Sequence, residues 1–273
     1  MPEIRIHSVE DPRISLYRDL PKRNLTSGSE RFVAESRHLV DRLLDSGFTV
    51  ESILVAEGHL ADVRRPETAD IPVYVADTKL LREIVGFRFH RGVLACGLRR
   101  PYPTLADVVP SMPRAATLVL MSQVQDPENV GAILRASAAF GIDAVVLGPH
   151  CADPFSRRVL RVSMGAVWKL PMTQSADVQR DITWLQDSAG IEVAATVLDA
   201  DADPLVGATR SRRTALLFGS EGHGLDPTLI GACRRRITIP MQLGTDSLNA
   251  AMAAGIFLHY FTQMCLPSGS DRE

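Results

Sequence analysis

Asp126-Pro127-Glu128-Asn129-Val130-Gly131-Ala132-Ile133-Leu134-Arg135 opens the stretch whose reading decides the fold, and the stretch closes at Phe140-Gly141. The Asp126 carboxylate is suited to accept from the unpaired N–H groups of a first helical turn. Pro127 suits the first helical position, and Gly141 suits the left-handed stop. The spacing predicts a helix over 127–140, with Val130, Ile133 and Leu134 turned to a core. Gly131 and Arg135 stand four residues apart and share a face. Glycine in a helix costs about 1 kcal/mol relative to alanine, so its use here points to a close approach beneath the arginine.

Short apolar runs and helical patterns alternate on both sides of this helix. Strands are expected over 117–121, 144–147, 193–197, 215–218 and 237–239, with helices near 155–162 and 178–187. An almost wholly apolar helix is expected from about Leu248 to Gln263. This alternation reads as α/β with a parallel sheet. The first hundred residues give a smaller α/β pattern, with helices around Leu39–Leu44 and Asp77–Gly86 and strands over 53–56, 73–76 and 93–98. Pro101, Pro103, Pro110 and Pro113 then crowd one segment, where each ring removes a donor and biases its predecessor to extended geometry. The expected boundary is near residue 112, giving domains 1–112 and 113–273.

Composition narrows the function classes. A chain of 273 residues fits about two domains. With 45% hydrophobic and 23% charged residues it is not generally disordered. Lys+Arg 30 against Asp+Glu 32 gives a net charge of −2, so no global basic field marks a nucleic-acid partner. Cys96, Cys151, Cys233 and Cys265 are scattered, which argues against a disulfide framework and against closely spaced zinc ligands. No histidine pair has metal-ligand spacing, so no metal is expected. Met1–Glu10 lacks the charged-then-apolar pattern of a leader, and the longest apolar stretch, 250–261, is too short for a bilayer. The expectation is a soluble, cytoplasmic protein without membrane contact.

Two further segments carry chemistry. Leu217-Phe218-Gly219-Ser220-Glu221-Gly222-His223-Gly224-Leu225 is a strand running into three glycines. Its G-x-x-G-x-G spacing is not the dinucleotide fingerprint, and it lies too near the C-terminus for such a domain to follow. What remains is a loop whose backbone can approach a ligand, flanked by Glu221 and His223. Ile239-Pro240-Met241 and then Ser247-Leu248-Asn249 precede the apolar helix, which Ser247 is placed to cap. A helix apolar nearly all round must be buried in a core or a subunit interface. Arginine supplies nearly all the positive charge, clustered at Arg157-Arg158/Arg161, Arg210/Arg212-Arg213 and Arg234-Arg235-Arg236, and its planar fork suits phosphate.

Taken together, the segments resemble the SpoU (TrmH) family of RNA 2′-O-ribose methyltransferases. The first motif of that family is matched by Asn129, Gly131, Arg135, Ser137, Phe140 and Gly141, and the second by Gly219, Glu221, Gly224 and Leu225. The third is matched by Ile239-Pro240-Met241 with Ser247-Leu248-Asn249, and Arg161-Val162-Ser163-Met164-Gly165-Ala166 resembles a further family segment. Ser8–Leu20, Phe32–Glu35 and Gly92–Ala95 look like the ribosomal-protein-like RNA-binding domain that many members carry in front; Ser36 departs from the glycine usual after Glu35.

The resemblance implies a parallel-sheet catalytic domain closed by a trefoil knot, a homodimer, and S-adenosylmethionine as cofactor. It places the cofactor on Phe218, Gly219, Ser220, Gly224, Ile239, Met241, Ser247 and Leu248. It makes Arg135 the residue that activates or orients the ribose hydroxyl, with Asn129, Glu221, Ser247 and Asn249 orienting Arg135 and the cofactor loop. The implied partner is RNA, ribosomal ahead of transfer RNA. The competing reading is a non-catalytic RNA-binding or ribosome-assembly protein on the same fold, against which the intact Arg135, Glu221, Ser247 and Asn249 argue. A nucleotide-dependent oxidoreductase would need the fingerprint that is absent.

Overall fold

The first unit is built on a five-stranded mixed sheet of β1 (Glu3–Arg5), β2 (Arg31–Glu35), β3 (Val50–Ala56), β4 (Val73–Ala76) and β5 (Val93–Leu98), in the order β1-β4-β3-β5-β2. The computed structural model describes residues 2–20, 29–64, 70–87, 89, 91–244 and 246–265. Strands β1 and β3 flank β4 in parallel, while β5 runs antiparallel to β3 and β2. Helix α1 (Arg37–Leu44) buries Leu39, Val40 and Leu43, as its spacing predicts. Helix α2 (Thr78–Val85) starts at Asp77, whose carboxylate accepts from the N–H groups of Lys79 and Leu80, and stops at Gly86 with φ 78°. The buried Tyr17 hydroxyl donates to the Ser52 carbonyl at 2.9 Å and accepts from the Cys96 N–H at 3.0 Å.

The second unit contains α3 (Leu105–Val108), β6 (Ala116–Met121), α4 (Pro127–Ala139) and β7 (Ala144–Leu147). The chain then passes through α5 (Arg157–Ser163) before β8 (Met172–Gln174), α6 (Val178–Asp187), β9 (Glu192–Thr196) and β10 (Asp203–Pro204). It ends with β11 (Arg213–Phe218), α7 (Pro227–Ala232), β12 (Arg235–Thr238) and α8 (Ala250–His259). The seven strands lie in the order β10-β12-β9-β11-β6-β7-β8. Every pairing is parallel, as the alternation predicts. Central strands β6 and β11 are almost continuously buried because both faces of the sheet are covered.

Compactness divides the chain at Pro101/Tyr102, at the start of the proline-rich segment rather than near residue 112, and assigns Asp153–Trp168 to the first unit. The reason is packing. The Phe155 ring lies 5.0 Å from Phe32 and 5.9 Å from Phe48, and Trp168 lies 6.1 Å from Phe32. Glu35, only 2% exposed, takes Arg157 through a short Nε–H contact and Arg161 at 3.5 Å. A buried carboxylate needs such partners, since removal of one leaves a charge without solvent. Gly165 is required where it stands: φ is 76°, and a Cβ there would lie 2.5 Å from the Trp168 ring.

Ser36, the departure after Glu35, adopts φ 102° and ψ 151°. That region is open almost only to glycine and costs a side chain about 1–3 kcal/mol. Ser36→Gly therefore removes this strain and gives back about 0.5–1 kcal/mol through the greater freedom of the unfolded chain. The expected net gain is about 1 kcal/mol, read as a rise of a few degrees in thermal unfolding. A lower transition temperature would show that the serine hydroxyl contributes more than its backbone costs.

The C-terminal helix differs from its expected extent. Helix α8 spans Ala250–His259 and passes into one π turn, Tyr260–Met264. Its cap is Asn249, not Ser247: the Asn249 Oδ1 accepts from the N–H groups of Ala251 at 2.9 Å and Met252 at 3.2 Å. Arg210 closes the other end from a buried position, donating to the carbonyls of Phe261 at 2.5 Å and Ala116 at 3.2 Å, and burial lowers its pKa. The end of the helix is thereby tied to the start of β6.

Candidate functional site

Three chain segments meet at the carboxyl ends of the parallel strands. Asn129, in the first turn of α4 and 4% exposed, donates through Nδ2 to the Glu221 Oε1 at 2.8 Å. Its Oδ1 accepts from the Asn249 Nδ2 at 2.9 Å. The same Glu221 oxygen accepts from the Asp126 N–H at 3.3 Å, while the Asp126 carboxylate caps α4 through the Glu128 N–H. Asn249 in turn caps α8. The result is a continuous chain of hydrogen bonds, Glu221–Asn129–Asn249, joining one helix start to another. Each amide spends both its donor and its acceptor, so the side-chain orientations are fixed. A carboxylate beside the first turn of α4 is also favoured by the helix dipole.

The glycine segment folds back on itself. Ser220 and Gly224 exchange two backbone hydrogen bonds of 3.0 Å each, and the Ser220 hydroxyl accepts from the His223 N–H at 3.2 Å. A Cβ on Gly219 would stand 2.4 Å from the Gly224 carbonyl and 2.6 Å from the Leu225 nitrogen. Gly224 has φ 67°. Only glycine permits this closure, because L side chains rarely adopt that conformation or fit that gap.

Beside the loop lies a cavity of about 860 Å³. Phe218, Gly219, Ser220, Gly224, Ile239, Met241, Ser247 and Leu248 all line it, so every residue expected to hold the cofactor is on one wall or another. Glu221 also lines it, whereas Asn129 and Asn249 stand behind Glu221 in the hydrogen-bond chain. Arg135 is exposed on α4 and makes no hydrogen bond or ion pair with any described residue. Its guanidinium is available to an incoming group. Ser247, exposed and not the helix cap, contributes to the cavity wall only.

Sequence reading missed part of the wall. Thr196, Asp199, Arg236 and Phe257 also line the cavity. Thr196 donates to the Leu217 carbonyl at 2.9 Å, and Arg236 pairs with Asp199 at 2.8 Å. The usable signal was position: residues just beyond strand ends at the carboxyl edge of a parallel sheet are where ligands bind. Cys233 lines the cavity as well, but burial pushes its thiol up to about 12 and it donates to the Leu229 carbonyl. The cavity therefore presents no thiolate to an electrophile. Among the described residues no cluster of histidine, cysteine or carboxylate could hold a metal ion, and no helix is long and apolar enough to cross a membrane.

A sequence model of the SpoU rRNA Methylase family matches residues 116–259. An uncharacterised tRNA/rRNA methyltransferase of Mycobacterium bovis is 36% identical, with 93% of this chain and 90% of that protein covered. The 23S rRNA (guanosine-2′-O-)-methyltransferase RlmB of Acinetobacter baylyi is 31% identical over 71% of this chain and 79% of its own length. Among solved structures, the AdoMet-bound rRNA methyltransferase of Sinorhizobium meliloti superposes with a TM-score of 0.80 at 27% identity, covering 94% of this chain and 96% of that one.

Proposed function

The chain belongs to the SpoU rRNA Methylase family, and from that premise we propose how its residues carry a methyl group from S-adenosylmethionine to a ribose 2′-hydroxyl of ribosomal RNA. The observation that carries the reading is the Glu221–Asn129–Asn249 chain, which joins the three motif segments beside a cavity lined by all eight expected cofactor residues. A silent RNA-binding protein would have no need to keep it.

The residues present fit the cofactor. The cradle at Gly219 admits no side chain, so backbone groups of Phe218–Ser220 and Gly224 can lie against a flat adenosine, with Ile239, Met241 and Leu248 as apolar walls. When bound, S-adenosylmethionine supplies a methyl group already activated by positive sulfur. The remaining task is placement of the attacking hydroxyl, and positioning of this kind can account for much of a rate enhancement. Arg135 holds the substrate through a phosphate or the hydroxyl itself. A guanidinium does not deprotonate, so Arg135 orients the nucleophile and a bound phosphate relays the proton. Asn129, Glu221 and Asn249 fix the start of α4, the helix that carries Arg135, and Ser247 contributes to the cavity wall.

Calorimetry is expected to give one S-adenosylmethionine site per chain without added metal. No detectable binding of the cofactor or its demethylated product at millimolar concentration would overturn the enzyme reading. Mapping of ribose methylation in RNA from a deletion strain would identify the nucleotide.

The reading extends to a trefoil knot formed by the C-terminal segment, supported by β12 lying inside the sheet between β10 and β9 rather than at its edge. It assigns RNA recognition to the first unit, methyl transfer to the second, and a cytoplasmic location. It also includes a homodimer on α8, which buries Ala254, Phe257 and Leu258 yet leaves Met252 59% and Ile256 40% exposed. Met252 and Ile256 lie four apart on one face, an apolar stripe that a second copy would cover. Light scattering is expected to report twice the mass of 29.8 kDa. A monomer at micromolar concentration would remove the dimer from the proposal.

A further inference from the structure

A second cavity, of about 640 Å³, lies in the same unit at the opposite end of the sheet. Its walls come from the segment before β6 (Met112, Pro113, Arg114), the end of α6 with the turn before β9 (Trp184, Ser188, Ala189), and Arg212 and Arg213 at the start of β11. These are the amino ends of strands, whereas the cofactor cavity lies at their carboxyl ends. Six residues of β11 separate the two levels, or about 20 Å. The two cavities share no lining residue, so this groove is no extension of the active site.

Its chemistry is specific. Among the described residues three arginines line it and no carboxylate does. Asp187, at the end of α6, is paired with Arg234 at 3.1 Å. Arg114 is exposed and makes no hydrogen bond or ion pair with a described residue, and Arg212 is exposed beside it. Arg213 is fixed in the wall by the Val109 carbonyl at 2.8 Å, yet its buried Nε–H has no partner among the described residues. Trp184 is half-buried, with one side packed against the core. A supported indole among arginines, without acids, is the combination that stacks a base and holds the phosphates beside it.

We propose that this groove binds a single-stranded segment of the substrate RNA, distant from the methylated nucleotide, with a base on Trp184 and phosphates on Arg114 and Arg212. The proposal rests on the reading of the chain as an RNA methyltransferase and adds a second anchoring point for the same substrate. A remote anchor contributes equally to bound substrate and transition state, so it acts on KM rather than on kcat.

The test compares Trp184→Ala and the surface pair Arg114→Glu/Arg212→Glu with the native full-length protein. Three quantities are read: affinity for a labelled single-stranded oligoribonucleotide, KM and kcat on ribosomal RNA, and calorimetric affinity for S-adenosylmethionine. Each variant is expected to weaken RNA binding and raise KM by about tenfold or more, with kcat and cofactor affinity unchanged. The charge pair is also expected to flatten the salt dependence of RNA binding by about one unit of slope per lost phosphate contact. Should Trp184→Ala fail to fold, the charge pair and Arg114→Glu alone decide, since Arg114 is exposed and bonds to no described residue. Native RNA affinity and KM in the charge pair would overturn the proposal, as would unchanged RNA affinity with a lost protein partner. A native protein that binds RNA but no cofactor would instead count against the methyltransferase mechanism, and the affinity comparison would still decide the groove.

Discussion

Arg135→Ala is expected to lower methyl transfer by two to three orders of magnitude while leaving the fold and the cofactor site intact. The side chain is exposed on α4 and bonds to no described residue, so truncation removes little packing and no internal partner. Substitutions of this kind usually change stability by less than about 0.5 kcal/mol. The cofactor cavity is lined by other segments, so affinity for S-adenosylmethionine should move by less than about tenfold, or 1.4 kcal/mol. Loss of a single donor that acts only as charge develops costs about 10²–10³ in turnover. Arg135→Lys should rescue poorly, because a point-charge ammonium cannot reproduce a planar fork. Arg213 is unsuitable as the comparison, since its guanidinium holds the Val109 and Ala189 carbonyls and its loss would be structural. Arg180, exposed on α6 and engaged among the described residues only through its backbone N–H to Asp177, is the better control. Equal damage from Arg135→Ala and Arg180→Ala would make Arg135 one phosphate contact among several. Native turnover in Arg135→Ala would defeat the mechanism.

How far this site was legible depends on the range over which each signal acts. Helix α4 was readable because its start and stop are encoded locally: Asp126 caps it, Pro127 begins it and Gly141 stands just past its end at φ 68°. The parallel strands were readable because burial on both faces writes continuous apolar runs. Strands β1 and β2 escaped because the first has three residues and the second mixes Arg31 and Glu35 with its apolar core. The packing of Asp153–Trp168 with the first unit was illegible because its partners are distant in sequence. Nothing within Arg157–Ser163 announces that two of its arginines answer a carboxylate at Glu35, more than a hundred residues earlier.

The end of the chain shows the limit most clearly. Ser247 and Asn249 are equally good caps by residue type, and only the point at which α8 begins decides between them. That point is set by Asn129, which holds the Asn249 amide across 120 positions of sequence. A motif match could nominate Asn129, Glu221 and Asn249 as members of one site. It could not show that the first amide bridges the other two, because the bridge exists only once β6, β11 and α8 are assembled.

Gly219→Ala is expected to be the most damaging single-methyl change in the second unit. The added Cβ would stand 2.4 Å from the Gly224 carbonyl carbon and oxygen and 2.6 Å from the Leu225 nitrogen. All three are backbone atoms, so no side chain can swing aside. The strand end or the loop must move, and the paired Ser220–Gly224 hydrogen bonds of 3.0 Å go with it. Overpacking of this kind costs about 1–3 kcal/mol of stability. The effect on S-adenosylmethionine should be larger, because the displaced groups are those proposed to hold the adenosine: a loss of at least about a hundredfold, near 2.7 kcal/mol. The loop supplies its own controls. Gly222→Ala meets nothing within 4 Å and needs no left-handed backbone, so cofactor affinity should stay within about threefold. Gly224→Ala also enters open space but at φ 67°, and the strained backbone should cost about 1–2 kcal/mol and place it between the two. Calorimetry and thermal unfolding of the three variants are therefore expected to rank them Gly222, Gly224, Gly219 in order of increasing damage. Native cofactor affinity in Gly219→Ala would mean that this loop is not the cradle, and equal losses in all three would mean that the loop is read by its flexibility rather than its shape.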